Sequence, residues 1–133
     1  MNEEMDDVYP RVMEVIRHAV EADEQNDTAF ATQIMTAVVE EFPGLPIAHS
    51  YLGWVLSRDG RHREAIEHGR VGVQLAPKSE KSSLLLFRVV WSAEQREQAF
   101  DEMKRFMAVG HSDEYDLMLK EWQQEADKGS GAE

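Results

Sequence analysis

Five histidines and twenty-six carboxylates are the side chains here that could shuttle protons or hold a metal. Their spacing decides whether they do. His62 and His68 stand six apart and fall on different helix faces. A helical zinc site needs two histidines four apart with a glutamate beside the first, and His-Glu-x-x-His does not occur. Glu64 and His68 are four apart and can touch, which a surface i,i+4 pair explains. His18 and His49 fall at packing positions of helices, and His111 falls in a loop. The acidic doublets Glu3-Glu4, Asp6-Asp7 and Glu40-Glu41 read as solvated faces. Catalytic carboxylates need burial or a like-charged neighbour to split their pKa values. With no cysteine there is no thiolate nucleophile, disulfide or thiolate zinc site. No calcium loop and no glycine-rich phosphate loop occurs. The expectation is a chain with no catalytic residue, no metal site and no cofactor, hence not an enzyme.

The elements explain the sequence better than the titratable groups do. Apolar residues recur at helical spacing throughout, and no strand pattern of any length appears. Seven helices are expected. The first covers about Asp6 to Glu24, with a start near Tyr9 because Pro10 suits a first turn. The second, capped by Asp27 or Thr28, ends at Phe42-Pro43-Gly44. The third runs from Pro46 to Arg58, and Asp59-Gly60 turns the chain. The fourth runs from His62 to Leu75. The fifth follows Ser79 to about Trp91, and the sixth runs from Gln95 to Val109 with Gly110 as a terminating glycine. The seventh covers Asp113 to Ala126, with Tyr115, Met118, Leu119 and Trp122 on one stripe. Residues 128–133 read as a flexible tail.

A period of 34 runs through these helices. Pro43 and Pro77 are 34 apart, and Ala31, Ala65 and Ala99 keep the same interval. Met35, Gly69 and Met103 are in register, as are Thr32, Ile66 and Phe100, then Ala22, Leu56 and Val90. A fixed period of this length marks stacked helix–turn–helix units. The middle unit carries Leu52-Gly53, Gly60, Ala65 and Pro77, and at these residues the chain resembles the tetratricopeptide repeat family. His49, Leu56, Gly69 and Gly72 depart from that pattern, and these departures are expected to loosen the middle unit. The resemblance implies an all-α, right-handed α-solenoid of three helix–turn–helix repeats with a seventh, capping helix. Residues 1–127 form one domain, with repeats at about 12–45, 46–79 and 80–111 and the capping helix at 112–127.

The same resemblance implies a concave surface built by the first helix of each unit. Its partner-facing positions fall on Ile16, Val20 and Asp23, on Ser50, Trp54, Ser57 and Arg58, and on Lys81, Leu84, Arg88 and Trp91. Two tryptophans with three cations make a hot-spot composition when desolvated. Trp91 could instead pack beneath the seventh helix. Family members that hold the acidic C-terminal tails of chaperones use a clamp of cationic and amide side chains. The matching positions here are Ile16, Val20, Tyr51, Lys81 and Leu85, and only Lys81 fits, so that activity is not expected.

Charge narrows the partners. The net charge is −12, which opposes binding to phosphate backbones, so nucleic acid is not expected. Residues 1–56 carry 11 acidic and 2 basic side chains, residues 57–110 carry 8 and 10, and residues 111–133 carry 7 and 2. No apolar run approaches the ~20 residues of a membrane span, and the acidic N-terminus does not resemble a secretory signal. A cytoplasmic protein with no membrane contact is expected. The function implied is a protein–protein interaction module or adaptor, holding a peptide or helical segment of another protein, with self-association possible. Two alternatives are a small cytoplasmic chaperone of the secretion type and an acidic, immunity-like blocker of a basic partner.

Overall fold

The computed structural model describes residues 2–131, and the side chains of residues 8–129. Among the described residues the chain is entirely helical: α1 (Asn2–Glu24), α2 (Thr28–Glu41), α3 (Pro46–Arg58), α4 (His62–Leu75), α5 (Glu80–Ser92), α6 (Arg96–Met107) and α7 (Asp113–Gly131). α1 packs on α2, α3 on α4 and α5 on α6, and α3 bridges to α2 and α5, so three hairpins stack in chain order.

The hairpin turns share one backbone solution. Asn26, Gly60 and Glu94, each 34 residues from the next, all take positive φ, at 67°, 79° and 64°. The following amide reaches back five residues each time: Asp27 N–H to Ala22 O, Arg61 N–H to Leu56 O, and Gln95 N–H to Val90 O. The left-handed residue itself donates three residues back, to the carbonyls of Asp23, Ser57 and Trp91. These are three Schellman caps, which satisfy carbonyls that the helix ends would leave unpaired. Asp27 then caps α2 by accepting from the Phe30 amide, and Ser79 caps α5 by accepting from Ser82 N–H.

Small residues set the depth of stacking. A Cβ on Gly53 would stand 2.8 Å from the Ala65 carbonyl oxygen, so α3 and α4 touch backbone to backbone there. Gly69 lies against Leu86 of α5, and Gly72 against Ser50 of α3. Two of the four departures expected to loosen the middle unit, Gly69 and Gly72, therefore let α4 sit closer to its neighbours instead. Ala19, Ala31, Ala48, Ala65 and Ala99 are fully buried in the same core, around Ile16, Met35, Val55, Val89 and Phe106.

Three boundaries differ from the sequence expectation. α1 begins at Asn2, with Pro10 inside it rather than in its first turn. Gly110 does not have positive φ; α6 stops at Met107, and the Phe106 ring lies 2.9 Å from where a Gly110 Cβ would be. That glycine supplies room, not a left-handed turn. The expected tail is corrected too: α7 continues through Gly131, and residues 132 and 133 lie outside the described residues. Gly129 lowers helix propensity but does not adopt the left-handed conformation that ends a helix. Gln123 to Asp127 and Lys128 to Glu125 side-chain contacts run along the same segment.

Candidate functional site

The first helices α1, α3 and α5 carry the positions expected to face a partner, and the structure divides them. Ile16, Asp23, Ser50, Ser57 and Leu84 are buried. Ser50 Oγ donates to Ser82 Oγ at 3.2 Å, bridging α3 and α5. Asp23, only 2% exposed, accepts from Arg58 Nε at 3.1 Å and from Thr28 Oγ1 at 3.0 Å. That pair joins the first two hairpins, because an acid this buried is costly unless matched by a cation and hydrogen bonds. Val20, Trp54 and Trp91 are half-buried, and Arg58, Lys81 and Arg88 are exposed.

Trp54, Arg88 and Trp91 come together. With Phe87, Met118 and Trp122 they border an open cavity of about 410 Å³ between α3, α5 and α7. Its wall is aromatic. Trp91 stacks on Trp122 with ring centres 5.8 Å apart and planes within 11°, and Phe87 stacks on Trp91 at 5.7 Å. Phe100 meets Trp122 edge-on at 5.1 Å. The Arg96 guanidinium sits 4.7 Å from the Trp91 ring centre, in cation–π contact. At the rim, Arg88 donates to Glu114 of α7 at 2.8 Å, and both are about half exposed. Lys81 lies away from this cavity, bordering a second hollow with Tyr9 of α1 and with Pro46 and Ile47 at the start of α3.

α7 shapes this site, so Trp91 is both a packing and a lining residue. Beneath the aromatic wall a polar chain holds α7 in place. Tyr115, fully buried, shares a 2.8 Å hydrogen bond with Ser83, and Ser83 Oγ donates to Glu102 at 2.6 Å. Arg105 donates twice to Glu102, at 2.8 and 2.7 Å, and once to the Pro77 carbonyl at 2.8 Å. Because Ser83 gives its proton to the carboxylate, Tyr115 is the donor to Ser83. Burial, first among the influences on it, pushes the Tyr115 phenol well above its ordinary pKa, so it keeps that proton. Sequence reading did not find Ser83 or Glu102; neither carries a motif, and only the docking of α7 joins them.

Two histidine arrangements appear elsewhere. His49 Nε2 donates to the Pro43 carbonyl at 2.6 Å, so its Nδ1 is left to accept from His68 Nδ1 at 3.2 Å. Burial first, and then the neighbouring His49, lowers the His68 pKa, against smaller upward pulls from Glu67 and Glu64. His111 Nε2 donates to Asp113 at 2.8 Å and lies 3.6 Å from Asp116, and those carboxylates raise its pKa. These three exposed residues are the one set among the described residues whose ligand-type atoms converge. No described helix is long and apolar enough to cross a membrane.

No family model matches the sequence, and no curated protein matches it. Solved structures do match the fold. The Sgt2 TPR domain from Aspergillus fumigatus superposes with a TM-score of 0.71 at 20% identity, over 93% of this chain and 85% of that one. The first TPR of Spaghetti (RPAP3), bound to HSP90 peptide SRMEEVD, gives 0.69 at 14% identity, over 87% and 95%. MamA from Desulfovibrio magneticus RS-1 gives 0.65 at 18% identity, over 81% of this chain but only 61% of its own. At these identities the likeness is one of fold. Three stacked hairpins, turned by equivalent left-handed residues 34 apart and closed by a seventh helix, are the architecture of a tetratricopeptide repeat domain.

Proposed function

We propose that this chain is a protein-binding module that holds a segment of another protein against α3, α5 and α7. The observation that carries the reading is the open aromatic cavity bordered by Trp54, Phe87, Trp91, Met118 and Trp122 with Arg88 at its rim. Tryptophan and arginine side chains at a desolvated centre supply most of the energy in protein interfaces. A large apolar side chain of the partner fills the cavity, and an acidic neighbour takes the place of Glu114 on Arg88.

The structure of the Spaghetti (RPAP3) domain contains an acidic HSP90 peptide, SRMEEVD. That ligand fits this chain poorly. Of the five positions matching a carboxylate clamp, Ile16 and Leu85 are buried, Val20 and Tyr51 are half-buried, and Lys81 is the single cation. SRMEEVD is expected to bind in the millimolar range or weaker, about −4 kcal/mol.

The test is selection of peptides from a displayed library on the folded chain, followed by titration of the winners into wild type and into Trp54→Ala/Arg88→Gln. Selected peptides should change tryptophan fluorescence and lose at least tenfold in affinity on the double variant. Equal affinity in a variant with an unchanged circular-dichroism spectrum removes this cavity as the site.

A further inference from the structure

The two ends of the stack are finished differently. At the end formed by α5 and α6, the stripe Tyr115, Met118 and Trp122 of α7 covers the apolar surface. At the end formed by α1 and α2, a groove of about 580 Å³ has a floor of Val8, Val12, Val15, Ile34, Val38 and Phe42. Val15 is 39% exposed, and Phe30, one turn before Ile34 on the same face, is 49% exposed. Repeat arrays normally present a polar face at their termini, since an apolar one is a site of association.

We infer that this groove docks an amphipathic helix of a partner whose apolar stripe is flanked by lysine or arginine. The occupant is a helix because α1 and α2 satisfy their own backbone groups and leave no edge on which a strand could pair. Its length follows from the floor. Val8 to Val15 and Ile34 to Phe42 each span about two helical turns, roughly 10.5–12 Å at 1.5 Å per residue. A partner therefore presents apolar residues at i, i+3 or i+4, and i+7.

Its charge follows from the surroundings. Residues 8–42 contain seven carboxylates and two arginines. Of the two, Arg17 is held by Glu14 and Glu21, at 3.2 and 3.4 Å. Arg11 and Glu41 stand on the groove itself. A second copy is disfavoured by the same charges. With Asp23 buried against Arg58, two such ends face to face would still bring six carboxylates and two arginines up to the same set, and the outer face of α7 is acidic as well. The excess of carboxylates around the groove favours a cationic helix, with Glu41 on the groove as its nearest partner.

The probes are two 14-residue synthetic helices with the same leucine stripe, one with lysine and one with glutamate at all other positions. Calorimetry gives affinity, and amide chemical shifts give location. The lysine peptide should bind at least tenfold more tightly than the glutamate peptide, weaken at least tenfold between 50 and 500 mM salt, and shift amides of α1 and α2. Val15→Gln/Ile34→Gln should lose tenfold or more while Trp54→Ala/Arg88→Gln loses nothing, which separates this site from the aromatic cavity. Equal binding of the two peptides, shifts confined to other helices, or concentration-dependent sedimentation of the chain alone with α1–α2 shifts would each overturn the inference. Shift mapping decides the matter even where the double variant is destabilised.

Discussion

Glu94 is the residue on which the repeat fits worst. It holds the left-handed conformation that Asn26 tolerates and Gly60 adopts freely. A side chain with a Cβ costs about 1–2 kcal/mol there, while a glycine adds roughly 0.5–1 kcal/mol of unfolded-chain entropy. Glu94→Gly is therefore expected to stabilise the protein by roughly 0.5–1 kcal/mol, read as a higher urea midpoint with an unchanged slope. His68 gives a prediction of a different kind. Its folded pKa lies below the ordinary value of 6.5, so the folded state resists the proton that the unfolded chain accepts. Stability conferred by neutral His68 is present above pH 6.5 and declines as pH falls from there through the folded value. The added proton goes to Nε2, because Nδ1 already carries the hydrogen donated to His49 across 3.2 Å. His111, raised by its carboxylates, acts in the opposite sense. Melting temperatures measured at several pH values should thus fall less steeply below pH 6.5 in His68→Asn than in wild type, and an unchanged slope would remove the pair as the cause.

At the scale of the helix, α7 depends on one hydroxyl more than on its length. Tyr115→Phe keeps the ring against Phe87 and Phe106 but leaves Ser83 without its donor. A loss of about 1 kcal/mol is expected, together with faster amide exchange in α7 than in α3 and α4. If exchange rises equally everywhere, the Ser83 contact does not anchor the helix. α7 also shows what the sequence could and could not convey. Of its expected stripe, Tyr115, Met118 and Trp122 do face the stack, whereas Leu119 is exposed, one position round the helix from Met118; its capping role was legible too. The left-handed backbone at residues 26, 60 and 94 was legible only at Gly60, because glycine announces a left-handed residue and glutamate does not. Trp54 and Arg88 were legible as a pair through the 34-residue register. The burial of Ile16, Ser50 and Leu84 was not, because it depends on how closely neighbouring first helices approach. Around Ser50 it depends also on Gly72 of α4, whose missing Cβ leaves room for that side chain. Gly110 was misread for a similar reason: its role lies in the space taken by the Phe106 ring.

Over the whole molecule, charge and shape divide the work. The second and third hairpins are nearly balanced in charge and, with α7, supply the aromatic cavity, while the acidic first hairpin forms the N-terminal groove. The two proposed sites therefore lie on different surfaces and would not compete. α7 adds a further asymmetry. By laying Trp122 over Trp91 and Phe100, it takes the place that another hairpin would need for stacking. Lengthening the array past α6 means prising those rings apart, whereas a hairpin added ahead of α1 meets valines and a phenylalanine already laid bare. Growth of this scaffold, by gene duplication or by design, is thus directional: it is open toward the amino terminus and blocked at the other end.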